Sequence, residues 1–183
     1  MQFDNTIQAM QNFGANVVSE GKSILKKTKK DSGTLYRDFD YLVTASDSAV
    51  TLEFEFGGAE DYWAFVDEGV KGAGGFKGRG NMRGGNTPFR FGSGKYRGQW
   101  SKFTSAIQKW IKKKGIKGRD KKGKFITNKS LGFLIQRAIY QRGLTRTQFF
   151  SKPFTQELDK QMESITEAFA DDLELAMDKI VKE

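Results

Sequence analysis

The chain has 183 residues, of which 37% are hydrophobic and 13% aromatic, with 16 Phe among them; that is enough apolar area for one domain with its own core. It contains no cysteine and no histidine, which excludes disulfides, thiolate zinc sites, cysteine nucleophiles and every imidazole-based triad. The net charge of +9 is unevenly spread: residues 1–70 hold 6 Lys/Arg against 12 Asp/Glu, residues 71–124 hold 17 against 1, residues 125–152 hold 5 against 0, and residues 153–183 hold 3 against 9.

Acidic ends therefore bracket a basic middle. Such a separation suits a polyanion such as nucleic acid, or a head-to-tail contact between copies, besides a merely solvated surface. No apolar run approaches the roughly 18 residues of a membrane span, and the first residues lack a signal peptide's basic flank and apolar stretch. The expectation is a soluble, unexported protein with no membrane partner. The absence of cysteine leaves the redox compartment open.

In chain order, Phe3, Ile7, Met10, Val17 and Ile24, with Gly14 and Gly21 between them, form a helical stripe that predicts a helix over about residues 5–28. Asp4 or Asn5 can cap it, and Lys26, Lys27, Lys29 and Lys30 complement its C-terminal dipole. Two strands follow. Leu35, Phe39, Tyr41 and Val43 alternate with polar residues, as do Val50, Leu52, Phe54 and Phe56, and Ser46-Asp47-Ser48 supplies the turn between them.

A short helix over Ala59–Asp67 would put Tyr62, Phe65 and Val66 on one side. Residues 68–98 are glycine-rich, anchored only by Phe76, Pro88, Phe89, Phe91 and Tyr96, and are expected to protrude as a structureless loop. Three helices complete the chain. The first, about 100–114, turns Trp100, Phe103, Ile107, Trp110 and Ile111 inward; the second, about 128–142, does so with Leu131, Leu134, Ile135, Ala138 and Ile139. The third, about 154–182, carries Leu158, Met162, Ile165, Phe169, Leu173, Ala176 and Ile180, with Pro153 at its start. Gly143 closes the second helix and Thr145 to Phe150 reads as extended, while Gly115 to Lys124 is a basic, exposed loop.

These elements predict an α+β fold in one domain, residues 1–183: a small, mostly antiparallel sheet flanked by a long N-terminal helix and several C-terminal helices. Within it, residues 1–67 are helix plus hairpin, 68–98 the Gly-rich loop and 99–183 the helical part.

Chemical motifs are weak. Gly118-Arg-Asp-Lys-Lys-Gly123-Lys124 approximates a phosphate-binding loop, but Phe125 stands where Ser or Thr would hold Mg²⁺ and no apolar strand precedes it. The glycine tract has no GxGxxG, because Lys77 occupies the third glycine position. Carboxylate pairs occur at Glu53/Glu55, Glu60/Asp61, Asp67/Glu68 and Asp171/Asp172. Glu53 and Glu55 fall on the wet face of a strand and Asp171 and Asp172 on the wet side of a helix, where desolvation cannot tune them. Ser93 lacks a GxSxG setting and any histidine base. The basic middle, with aromatics interleaved, suits phosphate neutralisation and base stacking, although most of those aromatics also fit core or loop-anchor roles.

Tyr62-Trp63-Ala64-Phe65-Val66-Asp67-Glu68-Gly69 resembles the aromatic, valine, acid, glycine block of the tail-completion and head–tail joining proteins of tailed phages. Ser32-Gly33-Thr34-Leu35 is similar to their entry into the first strand. Trp110-Ile111-Lys112-Lys113-Lys114-Gly115-Ile116, Leu134 to Tyr140 with Gly143, and Phe149-Phe150-Ser151-Lys152-Pro153-Phe154 resemble later segments in the same order. The chain departs from that pattern in its basic insertion at 115–125 and its longer last helix.

The resemblance implies a small mixed sheet with flanking helices and a ring of identical subunits, commonly six. It further implies contact with neck, connector, tail-terminator or tail-tube proteins, and carries over no catalytic residues. The expectation is a structural virion protein, assembled in the host cytoplasm, that is not an enzyme and uses no cofactor or metal; the alternative is non-enzymatic nucleic-acid binding through the basic middle. Candidate contacts with sister copies or other virion proteins are Tyr62, Trp63, Phe65, Lys71, Phe76, Lys77, Arg79, Arg83, Phe89, Arg90 and Phe91. Candidate contacts with DNA or an acidic partner are Lys112, Lys113, Lys114, Lys117, Arg119, Lys121, Lys122 and Lys124. The Gly-rich loop, residues 69–98, is expected to gain order only against a neighbour.

Overall fold

The computed structural model describes residues 3–28, 33–74, 86–93 and 100–182. The fold is α+β, with helices predominating over two small antiparallel sheets. The chain divides into two compact units. Unit 1 joins residues 1–67 to 147–183, and unit 2 is the intervening stretch, 68–146. The last helix therefore leaves the helical part assigned to 99–183 and belongs with the first.

Unit 1 is built on α1 (Asp4–Lys27) and α6 (Ser151–Lys182), which pack on each other and on the hairpin of β1 (Asp40–Ala45) and β2 (Val50–Glu55). The buried face of α1 is Thr6, Phe13, Gly14, Val17, Val18, Gly21 and Leu25, rotated from the expected stripe. The two glycines belong to both stripes and mark where the helix is approached most closely. A Cβ at Gly14 would lie 2.4 Å from the Tyr41 ring and one at Gly21 2.6 Å from the Phe149 carbonyl oxygen, so the closest approach runs along the glycines and buries the residues beside them.

The hairpin pairs Asp40 with Glu55 through Ala45 with Val50, and the Ser46 amide closes its turn on the Ala49 carbonyl at 2.8 Å. Val50, Leu52 and Phe54 are half-buried while Thr51, Glu53 and Glu55 face solvent, as the alternation predicts. The first strand starts later than expected. Thr34–Asp38 instead forms a short helix, α2, which buries Leu35 and donates the Leu35 amide to the Tyr62 hydroxyl at 3.3 Å.

A 3₁₀ turn at Gly57–Ala59 leads to α3 (Trp63–Glu68). The core of unit 1 is aromatic. Phe39 stacks on Phe56 at 5.2 Å, Phe56 on Trp63 at 4.3 Å, and Phe149, Phe150 and Phe154 meet these rings and Phe54 edge-on or tilted. Edge-to-face pairs of this kind add about 0.5–1.5 kcal/mol each beyond area burial.

Two buried carboxylates fix the helix starts. Asp67 accepts hydrogen bonds from the Phe150 and Ser151 amides, 2.8 and 3.3 Å, at the N-terminus of α6. Asp172, from α6, accepts from the Asn5 amide at 3.2 Å, the Thr6 amide at 2.8 Å and the Thr6 hydroxyl at 2.7 Å, at the N-terminus of α1. Each satisfies orphan amides where the dipole favours negative charge. The expected wet position of Asp172 is thereby corrected: Asp171 is exposed, but Asp172 is only 2% exposed, because its side of α6 faces the start of α1. α6 also begins three residues earlier than expected, with Pro153 buried in its first turn.

Unit 2 contains β3 (Val70–Lys71), α4 (Trp100–Lys114), α5 (Asn128–Arg142) and β4 (Gly143–Leu144). β3 pairs antiparallel with β4, Val70 opposite Leu144 and Lys71 opposite Gly143. α4 and α5 pack together through buried Ile111 and Gly132, with a Thr104 hydroxyl to Gln136 Oε1 hydrogen bond of 2.8 Å. Trp110 and Leu134, expected inward, are 44% and 52% exposed; the contact line runs instead through Ile111, Gly132 and Gln136. Gly143, at φ 86°, ends α5, and Thr127 caps its start by accepting the Ser130 amide.

Candidate polyanion interface

The charge division follows the structural one. Unit 2 holds 21 Lys/Arg against 2 Asp/Glu, a net +19, whereas unit 1 holds 10 against 20, a net −10. Lys112, Lys113 and Lys114 are exposed in the last turn of α4. That helix closes with the Ile116 amide on the Ile111 carbonyl at 3.1 Å and the Gly115 amide on the Lys112 carbonyl at 3.2 Å, Gly115 taking φ 62°. This Schellman arrangement, with apolar Ile116 following buried Ile111, redirects the chain into the segment expected as a basic loop.

The segment is an ordered hairpin. Arg119 and Phe125 face each other in an antiparallel bridge, and the Asp120 amide donates to the Lys124 carbonyl at 2.8 Å. The Gly123 amide donates to the Asp120 carbonyl at 3.0 Å with Gly123 at φ 81°, the left-handed position that a three-residue hairpin loop assigns to glycine. The Asp120 carboxylate accepts the Lys122 and Lys124 amides, each at 2.9 Å. The lone acid of residues 112–124 is thus committed to holding the turn. The phosphate-loop resemblance of Gly118–Lys124 has its structural explanation here, since Gly123 serves a β-turn and Gly118 a close side-chain contact rather than a strand-to-helix cradle.

Lys117, Arg119, Lys121, Lys122 and Lys124 are all exposed on this hairpin. Arg119 donates to the Gly123 carbonyl at 3.0 Å and lays its guanidinium 4.0 Å from the Phe125 ring centre; Lys117 Nζ is 5.9 Å from the same ring. Phe125 itself remains 56% exposed. Gly118 seats the hairpin on α5, where any Cβ would fall 2.8 Å from Leu131 and 3.1 Å from Ile126. In the sequence Phe125 is marked as the residue that breaks the phosphate-loop match. Its cross-strand position opposite Arg119 could be found from the spacing of Asp120 and Gly123, a turn signature.

The described flanks of the Gly-rich loop are packed within unit 2, which corrects the expectation that residues 69–98 are structureless throughout. The Lys71 amide donates to the Phe89 carbonyl and the Phe91 amide to the Lys71 carbonyl, both at 2.9 Å, so residues 89–91 lie beside β3. Gly72 presses on α5, where a Cβ would stand 2.0 Å from the Gln141 carbonyl oxygen. Phe91 packs 6.0 Å from both Phe103 and Tyr140, and exposed Arg90 donates to the Ala73 carbonyl at 3.4 Å. Phe76, Lys77, Arg79 and Arg83 lie outside the described residues.

Of the aromatic block, half-buried Trp63 stacks in the core of unit 1 and Tyr62 holds the Leu35 amide, with Phe65 half-buried beside them in sequence. Trp63 thus packs against the core of unit 1, while Tyr62 remains 38% exposed. The Ser93 hydroxyl donates to the Arg90 carbonyl at 2.7 Å.

Two carboxylates of unit 1 have titrations displaced by structural contacts. Burial pushes the Asp172 carboxyl up, but the Thr6 hydroxyl and the Thr6 and Asn5 amides outweigh it and hold it below the usual carboxylate range. Glu157, hydrogen-bonded by Lys160 and then by Gln161, is also lowered against its burial. A shallow hollow of about 340 Å³ is lined by Asn5, Asp171, Glu174, Leu175 and Asp178. No group of three or more acidic side chains among the described residues converges to hold a metal ion, and no described helix is long and apolar enough to cross a membrane.

No known protein family, curated protein or solved structure matches this chain.

Proposed function

We propose that the chain is a structural virion component of a tailed phage, of the tail-completion or neck type, and that it works by assembly rather than catalysis. The observation that carries this reading is the coincidence of charge with architecture: a unit of net −10 and a unit of net +19 in one chain. The ordered sequence resemblance supplies the virion setting. Two oppositely charged, dissimilar surfaces make a heterologous contact, basic unit of one copy to acidic unit of the next, and such contacts generate rings when the rotation closes.

The test is native mass spectrometry and light scattering of the purified full chain across a salt series. A discrete closed oligomer at about 50 mM salt is expected, dissociating toward 1 M, where the screening length falls to about 3 Å. A monomer at every salt concentration refutes the ring. Absence of the chain from purified particles of the phage that encodes it refutes the virion assignment.

A second reading, non-enzymatic nucleic-acid binding through the basic middle, is favoured by one specific observation. The hairpin carries five exposed cations, and its single carboxylate is already bound to backbone amides.

A further inference from the structure

We infer that the 118–126 hairpin is a binding site for single-stranded nucleic acid, with Phe125 as the platform for an unpaired base and Lys121, Lys122 and Lys124 neutralising the adjacent phosphates. The inference rests on the second reading above and specifies its substrate.

The ring carries the argument. Phe125 is more than half exposed at the end of a hairpin that otherwise displays only charge and glycine. It is held in place on three counts: the bridge to Arg119, the guanidinium 4.0 Å from its centre, and the Ile126 amide on the Gly118 carbonyl at 3.0 Å. A ring fixed this way loses little conformational freedom on binding, and it offers a π surface to any base because every base has a flat face. Arg119 is anchored on the Gly123 carbonyl, so it polarises the ring while its remaining N–H groups can still meet a phosphate.

The partner class follows from what each candidate would leave unmatched. An acidic peptide would satisfy the lysines but give Phe125 nothing to stack on. A duplex would satisfy the lysines while hiding its base faces from a side chain on a hairpin. A single strand satisfies both, tracking its phosphates along the cations and laying a base on the ring. The turn is rigid for the same purpose, because Asp120 holds the amides of Lys122 and Lys124 and thereby fixes the spacing of the cationic residues.

The experiment is fluorescence anisotropy of the full chain with a labelled oligothymidylate of about 20 nucleotides, a duplex of equal length, and polyglutamate as competitor. Tighter binding to the single strand is expected, with Phe125→Ala losing about tenfold or more in affinity at an unchanged salt slope and Phe125→Tyr retaining it. The triple variant Lys121→Gln, Lys122→Gln, Lys124→Gln should reduce the salt slope by about 2. Phe125 is exposed, so its variants are expected to keep the wild-type circular dichroism spectrum. Binding that ignores Phe125, that favours the duplex, or that polyglutamate displaces equally well overturns the inference while leaving general polyanion binding intact. No binding at low salt overturns both.

Discussion

Replacing Asp172 tests the way the first and last helices of unit 1 are joined. Asp172 is buried and accepts three hydrogen bonds at the start of α1. In Asp172→Ala the Asn5 amide, on an exposed residue, regains water, whereas the Thr6 amide and hydroxyl are buried and cannot. Each lost bond to a charged acceptor is worth about 1.5–3 kcal/mol, so the two Thr6 donors together set a loss of about 3–6 kcal/mol. Thr6→Val removes one donor and costs about 1.5–3 kcal/mol. The double variant should fall short of additivity by about the same amount, since the two side chains share that bond.

Urea unfolding followed by far-ultraviolet circular dichroism at pH 7 measures all three. The pH dependence supplies an independent sign. The folded carboxyl titrates below its unfolded value of about 3.9, so its stabilisation is complete above that value and is lost as pH falls through the folded one. The deficit of Asp172→Asn relative to wild type should therefore shrink on acidification. A loss under about 0.5 kcal/mol for Asp172→Ala, or strict additivity with Thr6→Val, refutes the cap.

Two further substitutions probe the same unit. Gly21→Ala should lower stability by about 1–2 kcal/mol, because its Cβ would meet the Phe149 carbonyl oxygen at 2.6 Å and overpacking outweighs the helix-propensity gain of about 1 kcal/mol. Gly33→Ala, with nothing within 4 Å and an extended backbone, should be neutral or slightly stabilising in the same urea series, and a Gly21→Ala protein as stable as wild type would remove the close-approach argument. Asp67→Ala should cost about 1–2 kcal/mol and speed hydrogen exchange most at the amides of Phe150 and Ser151; unchanged exchange there would show that the carboxylate does not cap α6.

The helices of unit 2 were legible to the residue because their ends are chemically marked: Thr127 before α5, Gly143 after it, and Gly115 after α4. β2 was equally plain, since one face packs and the other does not. The helical turn at Thr34–Asp38 was not, because Leu35 and Phe39, four residues apart, fit alternation as well as they fit one turn, and Tyr62, far along the chain, holds the Leu35 amide. Asp172 was misplaced for a related reason: its surroundings come from a helix start 166 residues away in sequence. Trp110 on α4 and Leu134 on α5 both lie off the line along which the two helices meet, which runs through Ile111, Gly132 and Gln136. Of the candidate site, the charge of the hairpin could be read in advance, but its rigidity and the Arg119–Phe125 pairing depend on a turn geometry that charge alone does not specify.

The joining of α1 to α6 bears on biosynthesis. At about 5–20 residues per second, the ribosome needs roughly 10–30 s to proceed from Thr6 to its partner Asp172, which follows 166 residues later. Throughout that interval the nascent helix has the hairpin to pack on but lacks α6, whose Phe154 later meets Phe13. The inserted basic unit, translated in between, can complete its own contacts first, so the earliest segment made is among the last to be sealed, and holdase chaperones have their longest opportunity there.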